Sequence, residues 1–447
     1  MTALIVPGEA TAAPAHLPFT VIDQAVHLLD TQAEPWSIQL ELWLPGHLDD
    51  ERLRSAVHRA VTVHPMARAR QLPADRSDRT WTWEIGAGLD LDPLRIVTCL
   101  DDPAVARIRD ELYSRQVPLV ESPPFRLVLV HGVGGDGLLL SANHAAFDGF
   151  GCLRLLQSVA HQYAPRPEAA PAVELEEARD VDRHLAAPDP KARARRLRML
   201  LGKASDLGRS PARLAPDGAQ DAPGYRLHVR ALTEEQTRRL DVERATINEL
   251  LIGALNRAVV GWNDEHGRET GRVSLLVPVN LRPREWQQDV VTNMVLETRV
   301  ATGRRDRRDP ATLLAKVRAQ SERIKQGAGA ALIEVIGGWT SLPLWAKQPL
   351  TTLLTLTGNR LVDTAVVSNL GQISEPPGFG PDAGTPDAAW FSAPARMPCG
   401  LSVGALTVAG RLHLSFRVRA PLMGRDQASR FGDRFVTDLL DLAEGRG

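Results

Sequence analysis

Apolar positions change their period several times along the chain, and each change marks an element. From Ser37 to Leu44 they alternate, with Ile38, Leu40, Leu42 and Leu44 on one face, which predicts a half-buried strand. Pro45-Gly46 ends it. Leu53, Ala56, Val57, Ala60 and Val61 then recur at helical spacing behind a cap at Asp49 or Asp50, and His64-Pro65 stops the helix. Two apolar runs, residues 125–131 and 138–142, flank the stretch Gly132–Gly137 and predict a hairpin with a glycine-rich turn.

The second half carries its own start signals. Thr233–Gln236 and Thr246–Glu249 read as capping boxes. The helix opened by the second one carries Leu250, Leu251, Ala254, Leu255, Ala258, Val259 and Trp262 on its apolar side. Strands are expected at 273–279, 361–367 and 401–408, the last turning through Ala409-Gly410 into 412–418. A final helix after Gly424 places Phe431, Phe435, Leu439 and Leu442 on one stripe. Between the halves, the chain is rich in Pro, Ala and charge and poor in apolar residues. The organisation expected is an N-terminal domain over 1–165, a charged linker with a surface helix over 166–223, and a C-terminal domain over 224–447. Neither half alternates strictly between strand and helix. That favours an α+β class with two sandwich domains over a doubly wound sheet.

Length and charge narrow the function. At 447 residues there is room for two or three domains. Lys plus Arg is 53 against 54 for Asp plus Glu, a net charge of −1, which argues against a nucleic-acid binder. Three cysteines (Cys99, Cys152 and Cys399) are too few for a disulfide framework, so a reduced, cytoplasmic protein is expected. No signal peptide is expected. The longest uncharged apolar stretch, near 335–346, contains Gly337-Gly338 and is too short to span a bilayer.

The chemistry-bearing segment is Ser141-Ala142-Asn143-His144-Ala145-Ala146-Phe147-Asp148-Gly149. His144 stands where a strand ends and a loop begins, and imidazole titrates near pH 6.5, which suits proton abstraction at neutral pH. The twelve histidines show no metal-ligand spacing near it, so no metal is expected. No Ser or Cys nucleophile stands beside it, and Cys152 is expected to be a small buried residue on a helix.

Asn143–Gly149 resembles the H-H-x-x-x-D-G motif of the coenzyme A-dependent acyltransferase superfamily, which includes nonribosomal peptide synthetase condensation domains, polyketide-associated acyltransferases and wax ester synthases. Further blocks follow in the superfamily's order: Leu48–Leu53, His64–Ala69, Pro123–Leu127, Thr246–Asn248, Pro278–Arg284 with Asn293, and Ser368–Gly371. The resemblance implies two chloramphenicol-acetyltransferase-like domains in a V-shaped pseudo-dimer with a central tunnel. It makes His144 the general base. It gives Asp148 a structural role, with Arg282 as the candidate partner. Asn143 replaces the first motif histidine and would support the loop, and Gly149 would keep the tunnel floor open. Ser368 and Asn369 are candidates for tunnel or oxyanion contacts, or for a plain turn after a strand. No tightly bound cofactor is implied. The acyl donor would ride on phosphopantetheine, attached to an acyl or peptidyl carrier protein or as coenzyme A, and the acceptor would be a small molecule with a hydroxyl or amine.

A basic run from Lys191 to Arg213, including Arg195, Arg196 and Arg198, reads as a solvated linker helix. Its functional alternatives are docking of an acidic carrier protein, of coenzyme A phosphates, or of an anionic membrane surface. The reading adopted is a stand-alone condensation-type acyltransferase of secondary metabolism, forming an ester or an amide. Its alternatives are a non-catalytic condensation-like domain that recruits a partner, and a wax-ester or diacylglycerol-type acyltransferase at a membrane surface.

Overall fold

The computed structural model describes residues 14–164, 173–181, 191, 210–219, 222–283, 286, 289–325, 341–347, 360 and 362–446. A first sheet has the strand order β12-β2-β7-β6-β5, built from β2 (Ser37–Trp43), β5 (Leu94–Thr98), β6 (Phe125–Gly132), β7 (Gly135–Asn143) and β12 (Ala388–Ser392). β5 and β6 run parallel and the other pairs antiparallel. Alternation sends Leu127, Leu129, Leu138 and Leu140 to one face, where they join the core under helices α2 (Asp50–Val63) and α4 (Gly149–Tyr163). Val128, Val130 and Leu139 point the other way, against α3 (Asp102–Tyr113). A small sheet of β1 (Ala15–Pro18), β4 (Thr82–Ile85) and β3 (Ala69–Gln71) flanks this lobe beside α1 (Val21–Leu29).

The second sheet has six strands in the order β10-β9-β11-β13-β14-β8. They are β8 (Tyr225–Ala231), β9 (Val273–Asn280), β10 (Val295–Thr302), β11 (Ala365–Gln372), β13 (Leu401–Val408) and β14 (Arg411–Arg419). One face packs on α5 (Ile247–Glu265), α6 (Pro310–Arg323) and α7 (Arg425–Glu444). The stripe read on α7 is buried there, with Phe435 edge-on to Phe416 at 5.4 Å. Both capping boxes form, at Thr233 and at Thr246. The opposite face turns to the first lobe: Val366, Leu370, Leu406 and Val408 belong to the first lobe's core.

One strand crosses between the lobes. β12 comes from the second half of the sequence, yet it pairs antiparallel with β2 as the edge of the first sheet, Phe391 opposite Leu40. The Ser415 hydroxyl of β14 donates to the Phe391 carbonyl, which joins the crossing strand to the second sheet as well.

Three local expectations change. The glycine-rich turn between residues 132 and 137 is shorter than its composition implies, because β6 runs through Gly132 and β7 starts at Gly135. Gly135 (φ 134°) passes against the Leu44 carbonyl, and a Cβ on Gly137 would lie 2.9 Å from the Trp43 ring. These two glycines answer a close approach of β2 rather than a turn. The strand expected at 361–367 is shifted to Ala365–Gln372, since the Asp363 carboxylate is held by Ser274 at 2.6 Å and by Arg299 before the ladder begins. Within the stretch read as a charged linker, residues 173–181 and 210–219 dock on the body. Arg179 donates to Asp23 at 2.6 Å, and Leu214 and Ala215 are buried in the second core.

Candidate active site

His144 follows directly on β7, and its backbone N–H still bonds to the Trp36 carbonyl at 3.0 Å. The chain then makes a tight turn, with the N–H groups of Ala146 and Phe147 both on the Asn143 carbonyl at 3.1 Å. That turn folds the His144 ring back on its own loop, so its Nδ1 lies 2.8 Å from the Phe147 carbonyl oxygen. A carbonyl only accepts, so Nδ1 must carry the proton. The lone pair of the neutral ring is therefore on Nε2, which makes no hydrogen bond among the described residues. His144 is 7% exposed. Burial lowers its pKa below the ordinary imidazole value, although the Phe147 carbonyl and Asp148 favour the charged form. At neutral pH the ring is an uncharged base.

The neighbours fix this geometry. The Asn143 side chain donates to Asp30 Oδ2 and to the Val117 carbonyl, both at 2.8 Å, and accepts from the Ala145 N–H at 3.0 Å. An amide does all three tasks without a charge. Asp148 caps α4, accepting from the Gly151 N–H at 2.8 Å. Its carboxylate is fully buried and meets Arg282 in a two-pronged pair, Nη1 to Oδ2 at 2.5 Å and Nη2 to Oδ1 at 3.0 Å. The Met294 N–H also donates to Asp148 Oδ2, at 2.8 Å. Arg282 also donates to the carbonyls of Val290 and Thr292, at 3.1 and 2.9 Å. One guanidinium thus holds both ends of the turn after β9 and ties it to the His144 loop. Asn293, from the same turn, donates to the His144 carbonyl at 2.7 Å.

Gly149 sits against side chains rather than an open floor: a Cβ there would lie 2.6 Å from Leu370 and 2.8 Å from Phe391. Leu370 belongs to β11, so this contact brings the second sheet to the start of α4. Ser368 and Asn369 lie inside β11 rather than in a turn after it, with a register irregularity between Asn369 and Gln372. Ser368 is buried, and Asn369 accepts the Gly371 N–H at 2.9 Å. Cys152 is buried in α4, and burial holds its thiol well above the usual range, which suits packing and not nucleophilic attack. Arg195, Arg196 and Arg198 lie outside the described residues. The Phe147 carbonyl, Asp30 and Trp36 are site contacts that no spacing in the sequence announces. No helix among the described residues is long and apolar enough to cross a membrane.

No profile of a known protein family matches the chain. Solved structures do resemble it. The first condensation domain of the calcium-dependent antibiotic synthetase, in complex with a substrate analogue, superposes with a TM-score of 0.72 at 16% identity and covers 96% of each chain. The epimerization domain from the third module of tyrocidine synthetase B gives 0.64 at 17%, covering 98% of each. The starter condensation domain of rhizomide synthetase, in complex with C8-CoA, gives 0.65 at 14%, covering 97% of this chain and 95% of that one. In sequence, the uncharacterized protein Rv2305 of Mycobacterium tuberculosis H37Rv is 32% identical over 431 residues, 95% of this chain and 99% of its own length. Its counterpart in strain CDC 1551 matches equally. The chain belongs to one family with this mycobacterial protein, and its two lobes share the fold of the solved condensation and epimerization domains.

Proposed function

We propose that this protein is a condensation-type acyltransferase that moves an acyl group from a pantetheine thioester, on a carrier protein or on coenzyme A, to a hydroxyl or amine. The observation that carries the reading is the tautomer of His144. The Phe147 carbonyl accepts the hydrogen bond of Nδ1–H, which leaves a neutral, buried Nε2 lone pair without a partner among the described residues.

In the proposed reaction the acceptor hydroxyl or amine gives its proton to Nε2 as it attacks the thioester carbonyl. The tetrahedral intermediate collapses with loss of the pantetheine thiolate, which takes the proton back from the imidazolium. Proton and leaving group then balance, and no acyl-enzyme forms. The two substrates would meet at His144 from opposite ends of a tunnel between the lobes, so positioning supplies much of the rate. Asp148, Arg282 and Asn143 act on the loop and not on the substrate. Asn369 is a candidate oxyanion donor: its side-chain carbonyl is occupied by the Gly371 N–H, which leaves its amide hydrogens for another acceptor.

The test is intact-mass analysis of acyl-loaded carrier proteins, and of acyl-coenzyme A, incubated with the protein and a panel of amine and alcohol acceptors. Acyl loss matched by a new ester or amide is expected, and His144→Ala should slow it ~10²-fold or more with the fold retained. Turnover by His144→Ala equal to the parent's would remove the general base from the reading. Tight binding of a loaded carrier without any transfer would favour the recruitment alternative.

A further inference from the structure

At the opposite end of β7 from His144, a second group of titratable side chains converges. Asp136 is fully buried. Its Oδ2 accepts the Leu48 N–H at 2.7 Å. His47 Nδ1 lies 2.8 Å from Asp136 Oδ1, and His131 Nδ1 lies 3.0 Å from Asp136 Oδ2. The ligand atoms of these three residues all lie within 4.8 Å of one another. The far nitrogen of His131, Nε2, lies 2.8 Å from the Asp50 carboxylate.

We propose that His47, His131 and Asp136 form a binding site for one zinc-class divalent cation, with Asp50 holding the His131 ring in the ligating orientation.

The donor set selects the cation. Two imidazole nitrogens and one carboxylate suit zinc and its neighbours, not the oxygen-seeking magnesium or calcium, and no thiolate is present to favour copper(I). Metal bonds of ~2.0–2.1 Å in a tetrahedron place ligand atoms about 3.3 Å apart. His47 meets Oδ1 at 2.8 Å and His131 meets Oδ2 at 3.0 Å, and no two ligand atoms are more than 4.8 Å apart, so closing the group around one cation takes at most about 1.5 Å of movement, which the His47 side chain, 61% exposed, can supply. The Asp50 contact is what a metal-bound histidine requires. When Nε2–H donates to a carboxylate, the lone pair is on Nδ1, facing Asp136 and His47. His47 reaches the group from the solvent side, which gives a cation its entry path and leaves the fourth position for water.

The site is distinct from the candidate active site. Eight residues of extended chain separate Asp136 from His144, about 25 Å at the rise of a strand. A cation there would staple the segment between β2 and α2, which carries His47 and Leu48, to the tip of the β6–β7 hairpin. Histidine spacing could not reveal it, because His131 and Asp136 share one hairpin while His47, more than eighty residues earlier, joins them only when β7 pairs with β2. The sequence leads to the expectation of no metal anywhere in the chain, and the proposed site departs from that expectation.

The test uses the full chain stripped with a chelator and titrated with Zn²⁺ alone, against a chromophoric competitor, with bound metal counted by mass spectrometry. One equivalent bound at micromolar affinity or tighter is expected, with a rise in melting temperature. His47→Ala and Asp50→Asn should each weaken binding by ~10-fold or more while the protein stays folded, since Leu48 and His131 still hold Asp136. His16→Ala, at another exposed histidine, should change nothing. Cobalt(II) in place of zinc should give the visible spectrum of a tetrahedral nitrogen and oxygen site. Absence of stoichiometric binding, or binding that His47→Ala leaves intact, overturns the proposal.

Discussion

The side-chain amide of Asn293 donates to the backbone carbonyl of His144, so a residue of the second lobe holds the very peptide that carries the candidate base. The next residue, Met294, gives its N–H to Asp148. Two neighbours in one turn therefore grip both ends of the His144–Asp148 loop. A shift of that turn moves the base with it.

Asn293→Ala should expose this dependence. The buried His144 carbonyl loses its donor, at a cost of about 1–3 kcal/mol. The expected outcome is a lower kcat with little change in donor KM and an unaltered circular dichroism spectrum. A variant that melts earlier but turns over at the parent rate would make Asn293 a packing residue only.

Asp148→Asn should damage the fold more than the chemistry per folded molecule. It leaves the Arg282 guanidinium buried without its countercharge, at about 3–5 kcal/mol. Urea unfolding of Asp148→Asn, Arg282→Met and the double variant closes a cycle, and a coupling well above 1 kcal/mol is expected. A stable Asp148→Asn protein with dead chemistry would mean the carboxylate acts on the substrate directly.

The acid limb of activity should lie below the ordinary histidine range. Burial lowers the His144 pKa, so the ring stays a competent base through pH 6.5 and is lost only as pH falls further. The profile of kcat/KM for the free enzyme reads this directly. The same shift has a stability sign. The unfolded ring takes a proton near pH 6.5 and the folded ring does not, so stability is full above that pH and declines below it. His27, packed on Phe19 and Trp81, follows the same rule: burial lowers its pKa to about 4, and its contribution is lost as pH falls from about 6.5 to about 4. A kcat/KM limb centred at or above 6.5 would contradict the burial argument for His144.

Much of this was legible because it is local. The strand from Ser37, the capped helix after Asp49 and the capping boxes at Thr233 and Thr246 are each written in a few consecutive residues, and each forms. The Asn143–Gly149 motif likewise marks its own turn. What composition hid is long-range. Gly135 and Gly137 read as a turn, yet the end of β2 and the residue after it dictate them, through the Trp43 ring and the Leu44 carbonyl. Ala388–Ser392 is too short and irregular to announce itself, and the open edge of β2 makes it a strand. Arg282 lies 134 residues from Asp148, and only a resemblance, not a spacing, pointed to it.

Charge reversal tests the donor. If Arg195, Arg196 and Arg198 receive an acidic carrier protein, changing all three to Glu should slow association with a carrier-bound donor at low salt. The defect should shrink as ions screen it over about 10 Å at 0.1 M. A short pantetheine thioester, which lacks the protein surface, should react unchanged. Equal rates of both enzymes on the carrier-bound donor would leave the run as a solvated helix.

The crossing strand β12 also governs how the chain emerges from the ribosome. The edge of β2 has no partner until residues 388–392 have been synthesised, late in translation. Through that interval a row of free backbone donors and acceptors, flanked by Leu40 and Leu42, is open to other nascent chains. A truncation before Ala388 makes the exposure permanent. Such fragments are therefore expected to aggregate however complete their helices are, and the smallest unit that folds cleanly includes both lobes.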